Sequence, residues 1–197
     1  MNDMRNAILG AALVAGLAGC TASEAPTSPG AGAVLNAAAG VQITVTGGGM
    51  VDLTSINAGY AQFSVSAVLD ANGVATGKFH QRREIGGFVM DFSGDVTCLT
   101  IDAATGRARI GGVVTQNNST HPGLHTENHE IGDDVWFRVV DGGEGNGAVD
   151  ASTTYGFKPT LVNTSAEYCA LPFDGLPWWN PASTFPLAHG NIQIRSR

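Results

Sequence analysis

From Val41 onward, apolar and polar residues alternate with a period of two. Val41, Ile43 and Val45 are interleaved with Gln42, Thr44 and Thr46, the pattern of a strand with one buried face. Gly47-Gly48-Gly49 interrupts the alternation and Met50–Leu53 resumes it, so a bulge or sharp bend is predicted at the glycines. Tyr60–Leu69 alternates again, with Phe63, Val65, Ala67 and Leu69 on one face. Asp70-Ala71-Asn72-Gly73 reads as a hairpin turn, because Asn-Gly tolerates positive φ. Further strands are predicted over Val74–Gln81, Phe88–Phe92, Val96–Asp102, Arg107–Thr115, Val135–Asp141 and Ile192–Arg195. That gives about eight strands joined mostly by short turns, with no long amphipathic helix between them. Meandering connections without βαβ units predict an all-β fold: a single antiparallel β-barrel, or a barrel-like sandwich. Val135-Trp136-Phe137 and Val139-Val140 are apolar on both faces, so that strand is expected to be covered on both sides.

Composition agrees with this pattern. The chain has 197 residues, 43% of them hydrophobic, with 27 glycines and only 14% charged residues. This favours one domain with many turns over a helix bundle. A net charge of −7 and a single adjacent basic pair, Arg82-Arg83, exclude a nucleic-acid footprint, which needs clustered Lys and Arg. The same acidity argues against electrostatic attachment to anionic lipid.

A membrane link is instead legible at the N-terminus. Ala7–Gly19 is almost wholly Ala, Leu, Val, Ile and Gly, too short to span a bilayer stably but of the length of a signal-peptide core. It ends in Leu17-Ala18-Gly19-Cys20, which resembles the lipobox of bacterial lipoprotein signal peptides. The resemblance implies residues 1–19 as a lipoprotein signal peptide and Cys20 as the lipidated first residue of the mature chain. Two or three acyl chains anchor stably, each buried methylene adding about 0.8 kcal/mol. Thr21–Gly40 is rich in Ala, Ser, Thr, Pro and Gly and reads as a tether. Residues 20–40 are therefore the lipidated cysteine and tether, and residues 41–197 the β domain.

Export brings an oxidising environment, so Cys98 and Cys169 are expected to pair, with two buried free thiols as the alternative. His121, His125 and His129 recur every four residues, which on a helix would stack three imidazoles for zinc. Pro122-Gly123 breaks that geometry, and a polar loop competes with the metal reading. Asp141 to Gly147, with Asp150, offers oxygen ligands of the kind calcium takes. A glycine-rich hairpin turn explains the same residues. Trp178-Trp179 either cap a barrel end under a loop or contact a ligand such as a glycan. No Gly-x-Ser-x-Gly elbow is present. A catalytic pair across the barrel among Glu84, Asp91 and Asp95 stays open.

Several segments carry a resemblance: Gly47–Gly49, Phe63–Val65, Gly77–Phe79, Gly94–Leu99, Ile110–Thr115, Gly132–Gly145 and Gly190–Ile194. Together they resemble a family of uncharacterised bacterial envelope lipoproteins over roughly residues 45–195. The resemblance implies a single β-barrel-like domain and brings no activity, cofactor or site residue.

The expectation is a protein lipid-anchored to a membrane on the extracytoplasmic side of the cell envelope. Its β domain binds or supports an envelope protein or glycan, without assigned catalysis, cofactor or nucleic-acid partner. The alternative is a small-barrel enzyme, cyclase- or isomerase-like, or a carrier for an apolar ligand. The barrel interior discriminates: a cavity of about 300 Å³ or more with converging polar groups favours a ligand, whereas a filled interior favours an interaction module.

Overall fold

The computed structural model describes residues 41–120, 129–145, 147–157, 162–180 and 182–197. Nine strands form one antiparallel sheet: β1 (Ile43–Asp52), β2 (Tyr60–Leu69), β3 (Ala75–Ile85), β4 (Phe88–Asp102), β5 (Arg107–Asn117), β6 (Asp134–Val140), β7 (Ala151–Ser152), β8 (Gly156–Phe157) and β9 (Phe185–Ser196). Their order is β5-β4-β3-β2-β1-β9-β7-β6-β8, with β5 also paired to β6. That extra pairing closes a single eight-stranded barrel, and β8 lies beside β6 as an appendage. One short helix, α1 (Ser165–Cys169), and 3-10 turns at Thr54–Ile56 and Pro177–Trp179 complete the described elements.

The predicted alternation holds where it is cleanest. In β2, Ala61, Phe63, Val65, Ala67 and Leu69 point inward and are buried. The Asp70 turn forms because Asp70 Oδ1 accepts from the Asn72 N–H at 2.9 Å and the Val74 N–H at 2.8 Å. Gly73 then takes φ +79°, at no steric cost to glycine.

Several strands differ from the sequence reading: β3 runs on to Ile85, and β9 begins at Phe185 rather than Ile192. Gly47–Gly49 does not break β1, whose register with β2 runs from Ile43 to Asp52 without interruption; the irregularity falls just beyond the glycines, at Met50/Val51 against β9. These glycines serve instead the close approach of β9. A Cβ on Gly47 would lie 2.4 Å from the Asn191 carbonyl oxygen, and one on Gly49 would lie 2.1 Å from that of His189. The two segments predicted over 88–92 and 96–102 are one 15-residue strand, β4. It bulges at Ser93/Gly94 and Val96/Cys98, and the bulges absorb the break in alternation.

The barrel is solid. Val45, Val51, Phe63, Val65, Phe79, Phe92, Val96, Ile101, Ile110, Val114, Phe137, Val139 and Ile192 all belong to one buried cluster. Around its centre the Tyr155 ring, carried between β7 and β8, meets Phe137 at 4.3 Å, Phe92 at 5.3 Å and Phe79 at 5.4 Å between centroids. Gly94 and Gly112 make room for the Phe79 ring, since a Cβ at either would come within 2.7 Å of it. Such interiors are close-packed and leave little space between side chains.

Tyr155 and Gln81 bring polar atoms into this interior. The Tyr155 backbone N–H reaches Gln81 Oε1 at 3.3 Å, but the Tyr155 hydroxyl is buried with no hydrogen-bond partner among the described residues. Burial pushes the phenol well above its ordinary pKa of 10.0, so it stays protonated. An unsatisfied buried hydroxyl costs about 1–3 kcal/mol. Tyr155→Phe is therefore expected to raise stability by about 1 kcal/mol, measured as an upward shift of the urea midpoint at unchanged slope; a lower midpoint would contradict it.

Candidate functional site

The barrel wall is thinnest where β7 stands between β6 and β9. β7 offers only Ala151 and Ser152, which pair with Pro186 and Phe185 on one side and with Val140 and Val139 on the other. Beyond it, β9 presents backbone donors with no strand to take them. Side-chain carboxylates do so instead. Asp150 Oδ2 accepts from the Ile192 N–H at 2.6 Å, and Asp141 Oδ2 accepts from the Ile194 N–H at 2.8 Å. Their other oxygens accept from Gly142 and Gly143 N–H groups. The carboxylates read from sequence as calcium ligands thus stitch the seam of the barrel.

The outer wall beside this seam is covered by the chain between β8 and β9. Thr164 caps α1, its side chain accepting from the Glu167 N–H at 3.1 Å. Helix α1 lies flat on β4 and β5 because Gly111 has no side chain: a Cβ there would sit 2.6 Å from both Cys98 Sγ and Ser165 Cβ. A disulfide joins Cys98 to Cys169, the pairing expected from the sequence, across a separation of 71 residues. Asp134 fastens the same helix by accepting from the Ser165 N–H at 3.0 Å, and Thr100 Oγ1 donates to the Cys169 carbonyl at 2.8 Å.

Beneath the cover lie two arginines that strand alternation would turn toward solvent. Arg109 of β5 and Arg138 of β6 are register partners. Arg109 is fully buried. Its guanidinium donates to the Leu171 carbonyl and, at 2.6 Å, to that of Pro172. Four rings surround it: Phe173 at 4.9 Å, Tyr168 and Trp178 at 5.6 Å, and Trp179 at 5.8 Å. Cations are held over ring faces by the quadrupole, more strongly when desolvated. Arg138 Nε donates to Thr184 Oγ1 at 2.7 Å and to the Trp178 carbonyl at 3.0 Å, and its Nη2 donates to the Ser183 carbonyl. It also pairs with the Tyr168 hydroxyl.

No carboxylate among the described residues forms an ion pair with either guanidinium. Burial lowers the pKa of both, and Arg138 lowers that of Arg109 further. Burial raises the Tyr168 phenol, and the two arginines pull it partly back.

A cleft of about 340 Å³ opens on Arg138. Its walls are Trp136, Thr153, Thr154, Tyr155, Gly156, Tyr168, Trp178, Ser183 and Phe185. Trp136 and Tyr168 stack at 5.9 Å, and Tyr168 and Trp178 at 6.5 Å. Of the sequence-predicted residues, Trp178 lines this cleft. Trp179 lies deeper in the cover, stacked on Phe173 at 5.5 Å with its indole N–H on the Phe173 carbonyl. Both indoles lie beside arginines of β5 and β6: Trp178 near Arg109 and Arg138, and Trp179 nearest Arg107 at 5.2 Å.

The other candidates separate. His129 is buried with φ +86° and its ring lies 4.4 Å from that of Phe92. His121 and His125 lie outside the described residues. Among the described residues no cluster of three or more His, Cys, Asp or Glu is placed to hold a metal. Asp91 and Asp95 do not converge on each other. Asp95 pairs with Lys78, while Asp91 meets His80 Nε2 at 2.9 Å and Arg82 at 2.8 Å. These pairs stand on the outward face of β3 and β4, beside a second trough of about 550 Å³ floored by Ser64, Ser66, Ser93 and Gln116.

Nothing in the sequence names Arg109 or Arg138 as site residues. The available signal is the aromatic richness of the covering segment, which needs something to cover.

The cover predicts a measurable coupling. The disulfide contributes about 4 kcal/mol in the chain-entropy model for a loop of this length. The Cys98→Ala/Cys169→Ala variant should lose stability of that order and shift tryptophan emission to the red as the cover loosens; unchanged emission and midpoint would contradict the coupling. In comparisons with family models, curated proteins and solved structures, nothing matches this chain.

Proposed function

We propose that the protein is a lipid-anchored component of a bacterial cell envelope whose barrel is a solid scaffold, and that it works by binding on its outer wall. The observation that carries the location is the Leu17-Ala18-Gly19-Cys20 tetrad at the end of an apolar run of signal-peptide length. The Cys98–Cys169 disulfide supports it independently, because such bonds persist in oxidising compartments. No helix among the described residues is long and apolar enough to cross a membrane; the anchor in this reading is acyl chains on Cys20.

The binding role rests on the filled interior. A carrier or cyclase-like enzyme would need a lumen for its apolar ligand, and Tyr155, Phe79, Phe92 and Phe137 occupy that space. The cleft over Arg138 is of ligand size and opens beside the outward-facing side chains of β6. Labelling with a palmitate analogue tests the anchor. The wild-type chain is expected to incorporate label and remain with membranes, and Cys20→Ala to lose both. Equal labelling of the two would contradict the reading.

A further inference from the structure

We infer that the cleft over Arg138 binds a small organic acid: a carboxylate carried on a flat or ring-shaped body. The inference deepens the binding role proposed above and rests on it. It starts from a charge imbalance. The chain carries a net charge of −7, yet at this point two guanidiniums are drawn together below the surface with no carboxylate among the described residues to meet them. Every acceptor given to Arg138 is neutral: the Trp178 and Ser183 carbonyls and the Thr184 hydroxyl. Tyr168, its remaining partner, is kept as a neutral phenol by burial. Partly buried cations without an anion are costly, and a charge-assisted pair is the strongest interaction such a site can add. The planar fork of an arginine matches a carboxylate in particular.

Arg109 lies away from the opening. Its guanidinium is enclosed by rings and carbonyls, with Nη1 and Nη2 paired and Nε without a partner among the described residues. Arg138 is the one that lines the open cleft. The remaining walls set the rest of the ligand. Trp136 and Trp178 line the cleft with indoles, and Thr153, Thr154 and Ser183 add hydroxyl-bearing residues to the lining. A volume of about 340 Å³ admits a single ring with its substituents rather than a long chain. Two sources share this chemistry, an aromatic acid and a uronic-acid sugar.

The three tryptophans of the chain are Trp136, Trp178 and Trp179, and all three belong to the cleft or its cover, so intrinsic emission reports this site without a label. Full-length protein in detergent is titrated with benzoate and with glucuronate, and in parallel with the neutral analogues benzamide and glucose. The expected result is a saturable emission change with at least one acid, and affinity about tenfold or more below it for the matching neutral analogue. Saturation by benzoate alone identifies an aromatic acid, and by glucuronate alone an acidic sugar. Arg138→Gln should weaken the acid by a similar factor and leave the neutral analogue unchanged. Should that variant unfold, the acid-to-neutral ratio in the unaltered protein decides. Equal affinity for acid and neutral analogue, or no saturable response to either acid, overturns the inference. Acid binding lost while palmitate labelling persists sinks this inference alone; acid binding without labelling sinks the envelope reading alone.

Discussion

A β-barrel is stable only if its ladder of backbone hydrogen bonds closes on itself, and here closure passes through a strand of two residues. Ala151–Ser152 is too short to satisfy β9, whose Ile192 and Ile194 amides would otherwise end in an unpaired edge. Asp141 and Asp150 accept those two donors, so the wall is completed by side chains where main chain runs out. Each carboxylate also holds an amide of the glycine-rich loop that carries it. Loop, short strand and β9 thus form one unit. Buried backbone groups are rarely left unpaired, and this device meets that demand with two acidic residues rather than a longer strand.

The same thin wall explains why the unusual chemistry gathers beside it. With β7 and β8 each two residues long, β6 has little main chain on its free side, and its outward face needs other cover. The segment before β9 provides it, tied down by the Cys98–Cys169 bond and by α1 lying on Gly111. Arg109 is the centre of that cover. A buried guanidinium without a carboxylate is tolerable only with ring faces and carbonyl oxygens around it, and the segment supplies both. Arg138 shares the arrangement but borders the cleft. What makes the cover stable therefore also leaves a positive, aromatic-walled recess on an acidic protein.

Much of the wall was legible because each strand has one buried face. Phe63, Val65, Ala67 and Leu69 repeat every second residue, and Asp70–Gly73 carries its own turn chemistry. The closed eight-stranded antiparallel barrel agrees with the predicted fold class. The count was reached partly through offsetting differences: β4 was read as two pieces, while β7 was not read at all. A strand of two residues has no periodicity to detect. Asp141 and Asp150 were visible only as carboxylates in a glycine-rich loop, since their partners lie more than 40 residues away in β9. Arg109 was hidden by the rule that served elsewhere. It alternates with Ala108 and Ile110, and so reads as solvent-facing until the covering segment is in place. Trp178 and Trp179 marked that segment, but not the wall it lies on.

Residue-resolved amide hydrogen exchange tests the closure most directly. The account predicts that the Ile192 and Ile194 amides exchange as slowly as the ladder amides between β1 and β2, and that Asp150→Ala and Asp141→Ala each accelerate mainly the amide they hold. Exchange of both amides at the rate of exposed loops in the unaltered protein would contradict a wall closed through those carboxylates.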